Sequence, residues 1–137
     1  MKKLGLILTI SILIISCKSS EKKASPELKS SISEGEKVYQ NFCINCHMPN
    51  GEGIEGAYPP LANSDYLENN LKASIIGIKN GMKGEITVNG KTYNNIMTPM
   101  GLSNQEVADV TNYISNSWGN KKDTLITAKE VSKILPK

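Results

Sequence analysis

Cys43-Ile44-Asn45-Cys46-His47 sets two thiols three positions apart, with an imidazole directly after the second. Near the end of a helix, thiols at that spacing can each reach one vinyl group of the same porphyrin and form thioether bonds. The adjacent histidine is then aimed at the iron from one face. The pattern reads as attachment of one c-type haem. Other chemistries that use these residue types fit less well. A thioredoxin-type redox pair wants a strand–helix context in a βαβ fold, and no such pattern surrounds the motif. A zinc site needs four ligands, whereas His47 is the single histidine of the chain. A structural disulfide across two residues gives His47 no purpose.

Iron bound by His47 needs a second axial ligand from elsewhere. With no further histidine, methionine is the candidate, and Met opposite His raises the reduction potential. Met48 adjoins His47 and cannot reach the opposite face. Met82 follows a helical stretch and suits a core position. Met97 and Met100 flank Thr98-Pro99, where a stiff turn can present a thioether. The residues by themselves leave that choice open. A haem enzyme of peroxidase type would need an open sixth position and a distal acid or base, and a haem-based ligand sensor would need an output module. Neither pattern is present, and no small-molecule substrate site is evident.

Several elements must position these groups. Ser33-x-x-Glu36 reads as a capping box that opens a helix. Val38, Tyr39, Phe42, Cys43 and Cys46 recur along it at helical spacing, and Pro49-Asn50-Gly51 ends it. The chain from there to Asn63 is rich in Gly and Pro and has no period. Within it Gly51-x-Gly53-x-x-Gly56 matches a dinucleotide-binding pattern in letters, but follows a helix instead of a strand, so it reads as a plain loop. Ser64 is placed to cap a second helix with an inward stripe of Tyr66, Leu67, Leu71, Ile75 and Ile78, stopped by Asn80-Gly81. Two short extended runs, 86–88 and 91–93, surround Asn89-Gly90, a strong hairpin signal. Ser103-x-x-Glu106 opens a last long helix carrying Val107, Val110, Ile114 and Trp118 and closed by Gly119. Thr127-x-x-Glu130 opens a short terminal one. The expected class is all-α with one small β-hairpin.

At 137 residues a single domain is expected. The first sixteen residues stand apart from it: Lys2 and Lys3, then an apolar run from Leu4 to Ile15 too short to favour a membrane span. Ile14-Ile15-Ser16-Cys17 has the layout of a bacterial lipobox, in which cleavage precedes a cysteine that then carries lipid. An ordinary signal peptide or an uncleaved anchor are the other readings of this stretch. The expected organisation is a lipoprotein signal peptide over 1–16 and a flexible Ser/Lys/Glu-rich tether over 17–30 from lipidated Cys17. A folded domain over 31–120 follows, then an extension with a short helix over 121–137. The protein would be exported and held on the periplasmic or outer face of a bacterial membrane. Loss of Lys2 and Lys3 brings the formal net charge of +3 to about +1, and all basic residues are Lys, so nothing points to nucleic acid. One Phe, one Trp and five Tyr make a thin aromatic core, which a buried porphyrin would complete. Lys72, Lys79, Lys83, Lys121 and Lys122 are best explained as a solvated surface.

From about Ser33 to Asn120 the chain resembles class I, single-haem cytochromes c. The likeness is greatest to the small exported ones that serve nitrite reductases, periplasmic dehydrogenases and terminal oxidases. Gly35, Tyr39 and Cys43 match the glycine–aromatic–cysteine spacing of that family's first helix, where the glycine lets the last helix cross closely. Tyr113 and Trp118 would supply the facing aromatics. Tyr58-Pro59-Pro60-Leu61 matches the family's Pro-x-Leu segment. This implies that the carbonyl of Pro59, with Pro60 as its alternative, accepts from the haem histidine's Nδ1. The hairpin followed by Met97 resembles the family's ligand loop and implies Met97 as the axial partner of His47, although Thr98 here separates it from the proline that commonly follows directly. The resemblance implies an electron carrier with one haem c, exchanging electrons with a reductase, oxidase or dehydrogenase.

Overall fold

The computed structural model describes residues 24–135. The expected signal peptide, Cys17 and the first half of the tether lie outside these residues. Six helices and one hairpin follow in order: α1 (Pro26–Phe42), α2 (Ile44–His47), α3 (Asp65–Asn69), α4 (Leu71–Asn80), β1 (Ile86–Val88), β2 (Lys91–Tyr93), α5 (Asn104–Ile114) and α6 (Ala128–Ile134).

Helix α1 starts earlier than the Ser33 box suggests. Ser25 is its N-cap, accepting from Leu28 N, and Pro26 occupies the first turn, where a missing N–H costs nothing. Leu28, Ser31, Gly35, Val38 and Tyr39 form one buried face. Residues 26–30, expected to belong to the tether, are therefore part of the folded domain. The buried Leu28 side chain is the physical reason, since removing it from water stabilises the extra turns by about 1.5–3 kcal/mol.

The crossing of α1 with α5 is the most extensive contact between elements. It is centred on Gly35, where a Cβ would lie 2.0 Å from the backbone oxygen of Asp109 and 2.8 Å from Tyr113 Cβ. Helix α5 opens at Ser103 with the full capping box, Ser103 and Glu106 bonding reciprocally. It ends at Ile114 and not at Gly119. The chain then turns, Trp118 adopting φ 50° and Gly119 φ 91°.

The second expected helix is two. Asn70 breaks it with φ −125° and ψ 40°, leaving α3 and α4. Helix α3 is tied to the hairpin turn instead: Asp65 N donates to Asn89 Oδ1 and Asn89 N to Asp65 Oδ1 at 2.7 Å. Of the expected inward stripe, Leu67 and Ile75 are buried, while Tyr66, Leu71 and Ile78 are only half-buried. The antiparallel pairing is Ile86 with Tyr93, Thr87 with Thr92 and Val88 with Lys91, closed through Asn89 and Gly90, both at positive φ.

The expected extension is built into the core. Helix α6 has its own capping box from Thr127 to Glu130, and Val131 is fully buried. Ahead of it, the Asn112 side chain of α5 pairs with the backbone of Ile126. Nδ2 donates to the carbonyl at 2.8 Å and Oδ1 accepts from the N–H at 2.9 Å. Each such bond contributes about 0.5–1.5 kcal/mol, and losing either leaves a buried backbone group unpaired.

Candidate cofactor site

The Cys43–His47 motif sits where α1 gives way to α2. Cys43 caps both helices, and Ile44 to His47 form a single further turn. Cys43 thus stands at the helix break itself and Cys46 in the turn beyond it, rather than both on one last turn. Both thiols are free and half-buried. Met48 reverses the chain at φ 64°, and its carbonyl accepts from the Tyr39 hydroxyl at 2.7 Å. Burial pushes the Tyr39 phenol well above its ordinary pKa, so it stays a donor. Tyr39 also packs on Tyr113 and Trp118, ring centroids 4.9–5.5 Å apart. Gly51 lies flat against Trp118, where a Cβ would be 2.4 Å from the indole. This cluster anchors the start of the loop that follows the motif.

That loop brings the Pro59 carbonyl to His47, whose Nδ1 donates to it at 2.9 Å. A carbonyl cannot donate, so the proton is on Nδ1 and the Nε2 lone pair is free. Burial lowers the imidazole's pKa, the Pro59 bond opposing it, and keeps the ring neutral. Burial likewise raises the Cys43 thiol to about 11, with Cys46 adding to the effect. The Cys43 thiol and the His47 ring are thus both held toward their neutral forms. Pro60 lines the inner part of the cleft, but the histidine's bond goes to Pro59.

Two adjoining cavities share Cys43, His47, Pro59, Ile78, Met82, Ile86 and Met97 as walls. The outer one, about 1030 Å³ with its open mouth, also takes Cys46 and the buried ring of Tyr93. Apolar side chains dominate both. A flat apolar macrocycle fits this slot, with two thiols at its edge and an imidazole lone pair on its wall. Among the described residues no group of three or more His, Cys, Asp or Glu is arranged to hold an ion.

The four methionine candidates separate. Met48 does not line either cavity. Met100 lines only the outer one and is 36% exposed. Met82 and Met97 line both and are joined by reciprocal backbone bonds of 2.8 and 2.9 Å. The methyl of Met82, however, lies against Gly77 of α4, 2.6 Å from where a Cβ would stand. The Met97 carbonyl is held beside Gly81, 2.7 Å from a Cβ position there.

Phe42 ends α1 at the mouth of the cleft, 41% exposed, instead of entering the core, and Ile96 and Met100 stand exposed at the same mouth. Lys91 pairs with Glu55 at 2.7 Å on the surface. Lys79 donates to the Leu102 carbonyl. Gly81 caps α4 as expected, but neither its approach to the Met97 carbonyl nor that of Gly53 to the Pro59 carbonyl was signalled by the residues around them.

The family model "Cytochrome c" matches residues 32–118. Cytochrome c-552 of Thermus thermophilus is 37% identical over 113 residues, covering 76% of this chain and 86% of that protein. The cytochrome c subunit of alcohol dehydrogenase (quinone) from Gluconacetobacter polyoxogenes is 32% identical over 104 residues. That match covers 73% of this chain but 22% of the relative. Cytochrome c-551 of Bacillus subtilis (strain 168) is 30% identical over 77 residues, 53% of this chain and 66% of that protein.

Proposed function

The chain belongs to the class I cytochrome c family, and from that premise we propose that Cys43 and Cys46 attach its haem, with His47 and Met97 as axial ligands. The protein is an electron carrier with a single covalently bound haem c and exchanges electrons with redox partners. When bound, the haem supplies a one-electron iron couple; the chain supplies position, ligation and a dry surrounding. The observation that carries the assignment is the 2.9 Å bond from His47 Nδ1 to the Pro59 carbonyl. It fixes the tautomer and orientation of the ring, leaves Nε2 for iron, and raises the basicity of that nitrogen. Met97 is supported by its place in both cavities and by the Gly77 seat that occupies Met82.

The same reading has the protein exported and lipid-anchored through Cys17. The lipobox Ile14-Ile15-Ser16-Cys17 and the polar stretch after it support this. No helix among the described residues is long and apolar enough to cross a membrane. Relatives named as cytochrome c subunits of dehydrogenases favour a dehydrogenase-type partner over a reductase or oxidase.

Attachment is tested by two serine substitutions. Cys43→Ser or Cys46→Ser alone should leave haem held by one thioether, with visible bands moved to longer wavelength. The double variant should release its haem into acidified acetone. A double variant that retains haem through extraction would remove both cysteines from the assignment.

A further inference from the structure

We propose that Gly53 is a positioning residue for the haem histidine: its missing side chain lets the Pro59 carbonyl close on the His47 imidazole and so sets how strongly that ring donates to iron. The inference rests on His47 being the haem ligand. Gly53 has φ +65°, and a Cβ there would lie 2.4 Å from the Tyr58 oxygen and 2.7 Å from both the carbonyl carbon and oxygen of Pro59. These are backbone atoms, which cannot rotate away as a side chain can. Gly53 N also donates to the His47 carbonyl at 3.0 Å. His47 is therefore gripped twice, at its backbone oxygen by Gly53 and at Nδ1 by Pro59, and the two gripping segments touch each other.

The stretch between them cannot absorb a displacement. Ile54 N donates to Tyr58 O at 2.8 Å and Tyr58 N to Ile54 O at 2.7 Å, closing the loop on itself. A methyl group at 53 must push the 58–59 backbone by several tenths of an ångström. On a 2.9 Å bond such a movement is a large part of the range between a good hydrogen bond and none. A weakened bond leaves the imidazole a poorer donor. The oxidised iron then loses more stabilisation than the reduced iron, and the potential rises.

Gly56 is the control within the same loop. It has φ +74°, so alanine there meets the same left-handed backbone strain, but a Cβ would have nothing within 4 Å. The test is potentiometric titration of wild-type, Gly53→Ala and Gly56→Ala holoproteins. Gly53→Ala should shift to higher potential while Gly56→Ala stays with wild type; equal potentials in the two variants would overturn the role. Should Gly53→Ala not fold, hydrogen exchange on the wild-type holoprotein decides the matter. The Gly53 amide and the His47 Nδ1 proton should be exposed by one opening event, with matching protection as denaturant is raised. Independent exchange of the two would overturn the coupling. In the oxidised wild type the His47 ring protons should be paramagnetically shifted. Their absence would reject His47 as ligand, a failure distinct from equal potentials in the two alanine variants.

Discussion

Replacing Met97 by Ala should abolish the methionine–iron absorption band of the oxidised holoprotein and lower its potential by at least about 0.1 V, within the roughly 0.8 V that axial ligation commands. A thioether favours reduced iron, so its loss moves the couple down. The backbone of Met97 is well fixed, bonded on both sides to Met82 and packed against Gly81. Alanine there removes the sulfur without dissolving the loop. Met82→Ala should keep the band, since the Met82 methyl fills the space over Gly77 and its loss costs packing. Met100→Ala should also keep it, as that side chain stands at the mouth, partly in solvent. Visible spectra of the three variants check this at once. A band lost in Met100→Ala and retained in Met97→Ala would transfer the ligand to Met100.

Gly35→Ala should destabilise the holoprotein by about 3 kcal/mol, at the upper end of the usual range for overpacking, and Gly35→Val should not fold stably. The sign is the informative part. At an exposed helical position, glycine to alanine stabilises by about 1 kcal/mol through helix propensity. At Gly35 the added carbon would sit 2.0 Å from the Asp109 oxygen, so α1 and α5 must separate. That separation loosens Tyr39 from Tyr113, and with it the cluster that holds the loop after the motif. Urea unfolding of the two holoproteins measures the difference. A neutral or stabilising Gly35→Ala would mean that the helices do not cross there.

What could be read from the residues alone was what local chemistry dictates. Two thiols and an imidazole at fixed spacing allow few other uses. Asn89-Gly90 supplies the two positive φ values that a tight hairpin turn requires, and the capping boxes at Ser103 and Thr127 opened helices as expected. The misses are places where tertiary contacts outweighed equally good local signals. Ser33-x-x-Glu36 is a valid capping box in letters. Yet Leu28 and Ser31 are buried, Ser31 donating to Asp109, so the helix begins at Pro26. Asn70 has no glycine or proline beside it to announce a break. The reciprocal Asp65–Asn89 bonds tie α3 to the hairpin and away from the line of α4.

In the site itself, the resemblance to class I cytochromes c assigned the carbonyl partner to Pro59, and the histidine's bond goes there. Met82 was expected in the core and Met97 as the ligand implied by the resemblance; what could not be read is that Gly77 stands opposite the Met82 methyl. Nor could the part played by Gly53 be read, since the carbonyl it approaches arrives only after the loop has folded back.

The most direct test of a one-haem covalent carrier is a potentiometric titration of the matured holoprotein followed by its visible spectrum, with acid–acetone extraction of the same sample. A single reversible one-electron step, from haem that remains on the chain, is the predicted result. Haem that leaves with the solvent, or a titration lacking that single step, would contradict it.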